Sequence, residues 1–167
     1  MNGKTQAKAL LAGLVIVAMA FLYFRGVGAS MKTMESWMST QVTPEEINAM
    51  ETWVMQNTNE RTIFYTDIFG GEMMMGKTLR EGVEGGDWAV IPNVVDRMGD
   101  ADKFFKSTDS KEAHDLAKKY SAEYVWLPNR QLFCGYGWFE AEKEKFNDQK
   151  YFEKVYDEKG VMVYKVK

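Results

Sequence analysis

The sequence of 167 residues contains a single cysteine, Cys134, and a single histidine, His114. One cysteine cannot close a disulfide within the chain, so the fold has to be held together by packing. A lone histidine cannot form a metal site by itself, and Cys134 has no nearby pattern typical of a nucleophile and its base. The sequence therefore predicts neither a resident metal nor a cofactor.

The chain also lacks a basic tract and any long internal repeat. Its 21 Lys and Arg residues are interspersed with 24 Asp and Glu residues, for a net charge of -3. Nucleic-acid-binding domains usually carry a clustered basic surface, so a nucleic-acid partner is not expected. Aromatic residues make up 14% of the chain and there are 12 methionines, which is enough apolar material for one core.

An apolar run of 16 residues, Ala9–Phe24, follows Lys4 and Lys8 and precedes Arg25. Crossing a bilayer takes about 20 apolar residues, or fewer when flanking basic side chains reach the interface. We predict an uncleaved membrane anchor, while the small residues Val27–Ala29 keep a cleaved signal peptide open. A buried helix of a soluble hairpin is the third alternative, which the absence of a polar face disfavours.

The basic residues before this run predict an orientation. The positive-inside tendency places the amino terminus in the cytoplasm and the following domain outside it. We therefore predict a single-pass membrane protein with an anchor or signal peptide at 1–25, a stalk or linker helix at 26–43 and an extracytoplasmic domain at 44–167. Its expected partners are the membrane itself and other membrane protein subunits.

Helical and β-type patterns alternate through the domain. A capping box at Thr43–Glu46 starts a helix that ends near Gln56–Asn59. The remaining predictions are strands at Arg61–Thr66, Asp87–Ile91 and Glu123–Leu127, helices at Thr108–Tyr120 and Glu140–Gln149, a loop at Gln131–Phe139 and a hairpin of Tyr151–Tyr156 with Val161–Val166. This order predicts an α/β fold with a small mixed sheet and a C-terminal β-hairpin.

A loop after the first strand is the main candidate for ligand binding. Asp67, Gly70 and Gly71 follow a short apolar strand, and such a loop lies at the carboxyl edge of an α/β sheet. With Glu72, Glu84 and Asp87, Asp67 could also form an acid–base or divalent-metal site. The alternative is that these carboxylates and glycines only form turns and caps.

The segment Gly71–Thr78 (GEMMMGKT) also satisfies the phosphate-loop pattern G-x-x-x-x-G-K-[ST]. In such loops backbone amides surround the phosphates, here between Gly71 and Gly76, while Lys77 and Thr78 would contact phosphate and magnesium. Further glycines, from Gly82 onward, interrupt the helix that a phosphate loop requires. Nucleotide binding is therefore kept as an alternative only.

A third candidate site is an aromatic segment after Pro128. Tyr136, Trp138 and Phe139 lie among glycines, and aromatic residues of this kind dominate the binding energy of protein interfaces. We predict that they form a contact patch for a partner protein, with packing onto the core as the alternative.

Several short motifs resemble a known family in their order along the chain. They are Trp53–Thr58 (WVMQNT), Thr66–Gly71 (TDIFGG), Gly85–Trp88 (GGDW), Arg97, Phe104–Ser107 (FFKS), Ala122–Trp126 (AEYVW) and the closing segment Phe152–Lys167. Together they are similar to the soluble C-terminal domain of polytopic membrane glycosyltransferases, namely archaeal oligosaccharyltransferases and dolichyl-phosphate-mannosyltransferase-like proteins. The resemblance covers roughly residues 44–167.

The resemblance implies the fold and topology of that domain but not its enzymatic activity. The many membrane helices that carry catalysis in those enzymes are missing, as is the W-W-D-Y-G signature of oligosaccharyltransferases. Only Asp67, Gly70 and Gly71 match, as contacts on the acceptor side. We therefore predict a non-catalytic accessory or structural subunit of a larger membrane complex. The alternatives are a glycan or lipid-linked-sugar binding module associated with a glycosyltransferase, and the nucleotide-binding protein described above.

Overall fold

The computed structural model of the chain describes residues 13–29, 42–85 and 92–167. Backbone contacts divide the chain into two units, with the boundary between Gln41 and Val42. Most of the predicted stalk helix, and all of the predicted strand Asp87–Ile91, lie outside the described residues.

The described part of the first unit is helix α1, residues 13–29. Residues 13–29 are helical throughout. The last turns of α1 contain Arg25, Gly26 and Gly28. Within the described ranges, no helix has the length and apolar character needed to cross a membrane. The predictions of a single-pass transmembrane helix and of a membrane localisation with an extracytoplasmic domain are therefore wrong.

The second unit begins with helix α2, which consists of Pro44–Ala49, a π-helical segment Met50–Val54 and Met55–Asn57. The Thr43 hydroxyl accepts a hydrogen bond from the Glu46 amide at 3.3 Å, and the Glu46 carboxylate accepts one from the Thr43 amide at 2.8 Å. This confirms the predicted capping box. In the π-helical segment the Met55 amide donates to the Met50 carbonyl, five residues back.

A mixed sheet forms the centre of this unit. Its strands are β1 (Ile63–Tyr65), β2 (Glu81–Gly82), β3 (Tyr124–Pro128), β6 (Phe152–Glu158) and β7 (Val161–Val166), in the order β2-β1-β3-β7-β6. Strand β1 is parallel to β2 and β3, whereas β7 is antiparallel to β3 and β6. The predicted mixed α/β domain and its C-terminal hairpin are confirmed.

Three further helices and a small ribbon complete the unit: α3 (Ile68–Thr78), α4 (Val94–Lys106), α5 (Ser110–Lys119), and β4 (Leu132–Phe133) paired with β5 (Trp138–Phe139). Gly70 and Gly71, predicted in a turn, lie in the first turn of α3. The predicted helix Glu140–Gln149 is reduced to a 3-10 turn, Glu144–Asn147. The predicted loop Gln131–Phe139 contains the ribbon.

The core lies on both faces of the sheet. Successive residues of a strand point to opposite faces, so Phe64 packs with α2 and α3 while Tyr65 packs with α4 and α5. On β3, Trp126 belongs to the first group and Val125 to the second. All four side chains are fully buried. The strands β1 and β3 therefore bind a layer of helices on each face of the sheet.

Candidate functional site

The three parallel strands end at the same edge of the sheet, and a charged side chain follows each of them. Asp67 comes shortly after β1, Glu84 after β2 and Arg130 after β3. Their exposed fractions are 0%, 4% and 8%, so this edge collects ionisable groups that water barely reaches. We refer to these three residues with Glu46 as the carboxyl-edge cluster.

Arg130 is the centre of the carboxyl-edge cluster. Its Nη1 and Nη2 donate to Asp67 Oδ2 and Oδ1 at 2.8 and 2.9 Å, a bidentate pair. Its Nε and Nη2 donate to Glu46 Oε2 and Oε1 at 2.9 and 3.1 Å, a second bidentate pair. Burial lowers the pKa of Arg130, but the hydrogen bonds and charge of Asp67 and Glu46 raise it by more, so the net shift is upward.

Asp67 also caps helix α3. Its Oδ1 accepts a hydrogen bond from the Gly70 amide at 3.1 Å, and its Oδ2 accepts one from the Phe133 amide at 3.3 Å. Each carboxylate oxygen therefore has one bond to Arg130 and one to a backbone amide. The arrangement joins α2, the start of α3, the end of β3 and the β4–β5 ribbon. Ligand binding by Asp67 stays a prediction. The Asp67 side chain is fully enclosed by other residues of the protein.

Gly70 and Gly71 lie where α3 approaches the sheet edge most closely. A Cβ on Gly70 would lie 2.1 Å from the Thr66 hydroxyl oxygen, and a Cβ on Gly71 would lie 2.2 Å from the Glu84 carbonyl oxygen. A side chain at Gly71 would meet backbone, and one at Gly70 would meet the Thr66 and Asp67 side chains, so neither fits without displacing its neighbours. Both glycines therefore have a packing role. They lie next to Asp67, with which they were predicted to form a ligand site.

Glu84 differs from the other carboxylates of the cluster. Within the described part of the chain, neither of its carboxyl oxygens has a hydrogen-bond partner. Burial is the main cause that raises the pKa of Glu84 to about 9. The nearby Cys134 thiol lowers this pKa, and the carboxylates of Asp67 and Asp102 raise it further. The group therefore holds its proton at pH 7. In the described ranges no three metal-ligating side chains are grouped so as to hold a metal ion.

The residues of the phosphate-loop pattern lie within α3 and face different surroundings. Gly76 is open to solvent, Lys77 Nζ lies 3.1 Å from Glu51 Oε1 at the surface, and the buried Thr78 hydroxyl donates to the Met74 carbonyl at 2.6 Å. A phosphate loop needs its amides directed at one centre ahead of a helix. The structure does not bring these residues together around such a centre.

The predicted contact patch is only partly exposed. Tyr136 is 59% exposed, and its hydroxyl lies 3.4 Å from the Val95 carbonyl oxygen. Trp138 is half-buried and stacks on Phe69 with ring centroids 5.5 Å apart. Phe139 is half-buried against the core, with Lys106 Nζ 4.5 Å from its ring centroid. The patch as predicted therefore mixes one surface residue with two that have packing partners.

Sequence reasoning missed the central member of the cluster. Arg130 follows Pro128 and Asn129 without any recognised motif, and Glu46 was noticed only as part of a capping box. The indole of Trp126, which donates to Glu46 Oε1 at 3.2 Å, was noticed only as a strand residue. The sequence did contain one signal, an arginine two residues after a central apolar strand. An arginine that is buried at such a position needs carboxylates as hydrogen-bond partners.

The second unit thus belongs to the class of mixed α/β domains with helices on both faces of a sheet. Its structure is similar to the crystal structure of the C-terminal globular domain of oligosaccharyltransferase from Archaeoglobus fulgidus. The TM-score is 0.55 and the identity 16%, over 76% of this chain and 99% of that chain. Comparison of the sequence with protein-family models and with curated proteins gives no match. At this identity the similarity shows the fold alone, and it supports the predicted resemblance to that extent.

Proposed function

We propose that this chain is a non-catalytic accessory module of a glycosyltransferase assembly, which it joins by binding to another protein subunit. The observation that carries the proposal is the shared fold, which covers 99% of a globular domain that is part of an oligosaccharyltransferase. A fold of this kind next to a glycosyltransferase supplies surface for contacts with its catalytic subunit.

The carboxyl-edge cluster supports the non-catalytic part of the proposal. Asp67 and Glu46 are fully buried and bonded to Arg130, and Glu84 is neutral at pH 7. Catalytic carboxylates have to reach a substrate, whereas Asp67 and Glu46 are enclosed and are joined to the end of β3 through Arg130. Their geometry is that of a structural ion cluster.

The surface around Tyr136 supports the protein-contact part. Tyr136 and Val95 are 59% and 64% exposed and lie side by side on different elements. Exposed aromatic and aliphatic side chains that are adjacent in space are typical of protein contact sites. We take this pair as the centre of the contact surface, with Trp138 beside it.

The test is recovery of the tagged full chain from its native cells under gentle conditions, followed by mass spectrometry. The expected result is a defined complex that contains a glycosyltransferase subunit. A chain recovered alone, or in a complex without any such enzyme, would overturn the proposal.

Two matched variants locate the surface. The double variant Val95→Ala with Tyr136→Ala removes two exposed apolar side chains and is expected to lose the partner. The control Met75→Ala with Leu79→Ala removes two exposed apolar side chains, one in α3 and one directly after it, and is expected to retain the partner. Equal recovery by both variants would show that the contact surface lies elsewhere.

A further inference from the structure

A shallow groove of about 350 Å³ lies between helix α2 and the edge strand β6, and its lining shares no residue with the carboxyl-edge cluster. Its described lining combines two aromatic rings with polar side chains that are exposed to solvent: Trp53, Tyr156, Asn48, Thr52, Gln56, Asn57 and Glu158. Neither the predicted sites nor the proposed function uses any of them. We refer to this site as the α2–β6 groove.

The two aromatic rings form the floor of the groove. The ring centroids of Trp53 and Tyr156 are 5.7 Å apart with an interplanar angle of 41°, and Tyr124 supports Trp53 edge-on at 5.8 Å. Both rings are half-buried, so the core holds them in place while part of each remains accessible. Rigid aromatic rings of this kind pack against flat C–H surfaces at little cost in side-chain entropy.

Two backbone irregularities meet at this floor. Trp53 belongs to the π-helical segment Met50–Val54, and Tyr156 directly follows a bulge in β6. Because of the bulge, the consecutive residues Val155 and Tyr156 both pack on the same side of the sheet. π-helical turns and β-bulges are common at functional sites because they redirect a side chain. Here each irregularity contributes one ring of the pair.

The rim of the groove is built from planar polar groups. Asn48 and Gln56 are eight residues apart and hence on one face of α2, and Asn57 is held by a bond from its Nδ2 to the Trp53 carbonyl at 2.7 Å. Amide side chains carry both donors and acceptors, and the Glu158 carboxylate supplies two further acceptor oxygens. Such a set matches hydroxyl groups, each of which donates and accepts.

The charge of the lining narrows the ligand class. Glu158 is the only charged side chain among the described residues of the groove. A phosphorylated or sulfated ligand would need a cationic partner, and an apolar ligand would need a deeper, less polar pocket. A sugar ring has one apolar C–H face and a rim of hydroxyl groups. We propose that the α2–β6 groove binds a neutral saccharide, with the ring on Trp53 and Tyr156 and the hydroxyl groups toward the amides and Glu158.

The test is a two-dimensional NMR titration of the isotope-labelled full chain with methyl glycosides of mannose, glucose, galactose and N-acetylglucosamine. At least one sugar is expected to shift the Trp53 indole resonance and the backbone resonances of the groove, with millimolar affinity. No shift with any of the four sugars, or shifts confined to other regions, would overturn the proposal.

Matched double variants test the role of the rim. Gln56→Ala with Glu158→Ala removes two exposed groove side chains and is expected to weaken binding about tenfold, since it removes about two hydrogen bonds. Gln149→Ala with Glu153→Ala makes the same two changes at exposed positions outside the groove and is expected to bind as the parent does. Equal affinity of the two variants would also overturn the proposal. The titration uses the chain alone, so its failure leaves the proposed association with a glycosyltransferase intact.

Discussion

The carboxyl-edge cluster and the α2–β6 groove both use helix α2, but they place its polar side chains in opposite environments. The cluster contains four ionisable groups and excludes water, whereas the groove contains one carboxylate and is open. In the cluster Glu46 is bonded to Arg130, and in the groove Gln56 and Glu158 are exposed. The same helix thus contributes one carboxylate to a closed ion pair and an amide side chain to a surface that solvent reaches.

The difference has an energetic basis. A buried charge loses its hydration and is tolerated only when other groups replace that hydration with hydrogen bonds. Arg130, Asp67 and Glu46 meet this condition through four mutual bonds. Their removal should affect folding, while changes in the groove should affect binding only.

The largest effect is expected from Arg130→Met. The substitution leaves Glu46 and Asp67 buried without their cation, so the free energy of unfolding should fall by about 3–5 kcal/mol. Urea denaturation followed by circular dichroism measures it. The exposed control Lys118→Met should change the value by less than about 0.5 kcal/mol. A loss below about 1 kcal/mol for Arg130→Met would contradict a structural role of the cluster.

A smaller effect is expected from alanine at two glycines of α3. Gly71→Ala places a Cβ against the Glu84 carbonyl oxygen and should destabilise the fold by about 1–3 kcal/mol. Gly76→Ala meets no atom within 4 Å and should stabilise it by up to about 1 kcal/mol through helix propensity. Thermal unfolding of both variants measures the difference. Equal shifts would show that α3 does not press against the cluster as described.

Glu84 should make stability depend on pH. Its pKa is raised by burial from 4.5 to about 9, so between these values the folded chain holds a proton that the unfolded chain has released. The stabilisation is complete below pH 4.5 and is lost as pH rises through about 9, by at most about 1.4 kcal/mol per pH unit. Glu84→Gln should remove this slope, as measured by urea denaturation at a series of pH values.

The pH range in which this slope can be assigned to Glu84 ends near pH 8. Burial lowers the pKa of Lys145 to about 8, so above that pH Lys145 makes stability rise with pH. The titratable side chains near Glu84 come from several other elements: Tyr65, Asp67, Arg97, Asp102 and Cys134. The exposed control Glu153→Gln should keep the slope of the parent chain. If Glu84→Gln also keeps it, Glu84 is not held neutral.

The smallest effect is expected in the groove. Gln56→Ala with Glu158→Ala should leave the free energy of unfolding within about 0.5 kcal/mol of the parent, because both side chains are exposed. The same urea denaturation measures it. A loss above about 1 kcal/mol would mean that the groove is part of the folded framework, and the contrast with the cluster would disappear.

Local patterns predicted much of the fold. The capping box at Thr43–Glu46 and the hairpin around Asp157–Gly160 depend on neighbouring residues, and both are present. The first turn of α3 was predicted as a loop because Asp67, Gly70 and Gly71 follow a short apolar strand, and glycine has a low helix propensity. The Asp67 cap and the tight contact of both glycines with the sheet edge outweigh that propensity.

The transmembrane prediction rested on an apolar run and its flanking basic residues. The run Ala9–Phe24 has the residues of an anchor, but among the described residues no helix has the length and apolar character needed to cross a membrane, and helix α1 includes Arg25, Gly26 and Gly28. Apolar composition does not determine which residues a helix includes, and its length and content decide whether it can span a bilayer.

For the candidate site, too, the position of one residue was predictable and its partners were not. The order of β1 and its following residues was sufficient to predict that Asp67 lies at the carboxyl edge of a sheet, because strand direction follows from the order of elements. The partners of Asp67 were not predictable from that order. Arg130 lies 63 positions further along the chain and Glu46 lies on a different helix.

By itself, the sequence determined the capped helix α2, the strands β1 and β3, the mixed α/β class and the C-terminal hairpin, since these follow from local apolar periods and caps. Only the tertiary structure decided which polar residues are enclosed and which remain open. Burial depends on how distant segments pack, so Asp67 became part of a closed ion cluster while Trp53 and Tyr156, more than a hundred residues apart by number, came to line one groove.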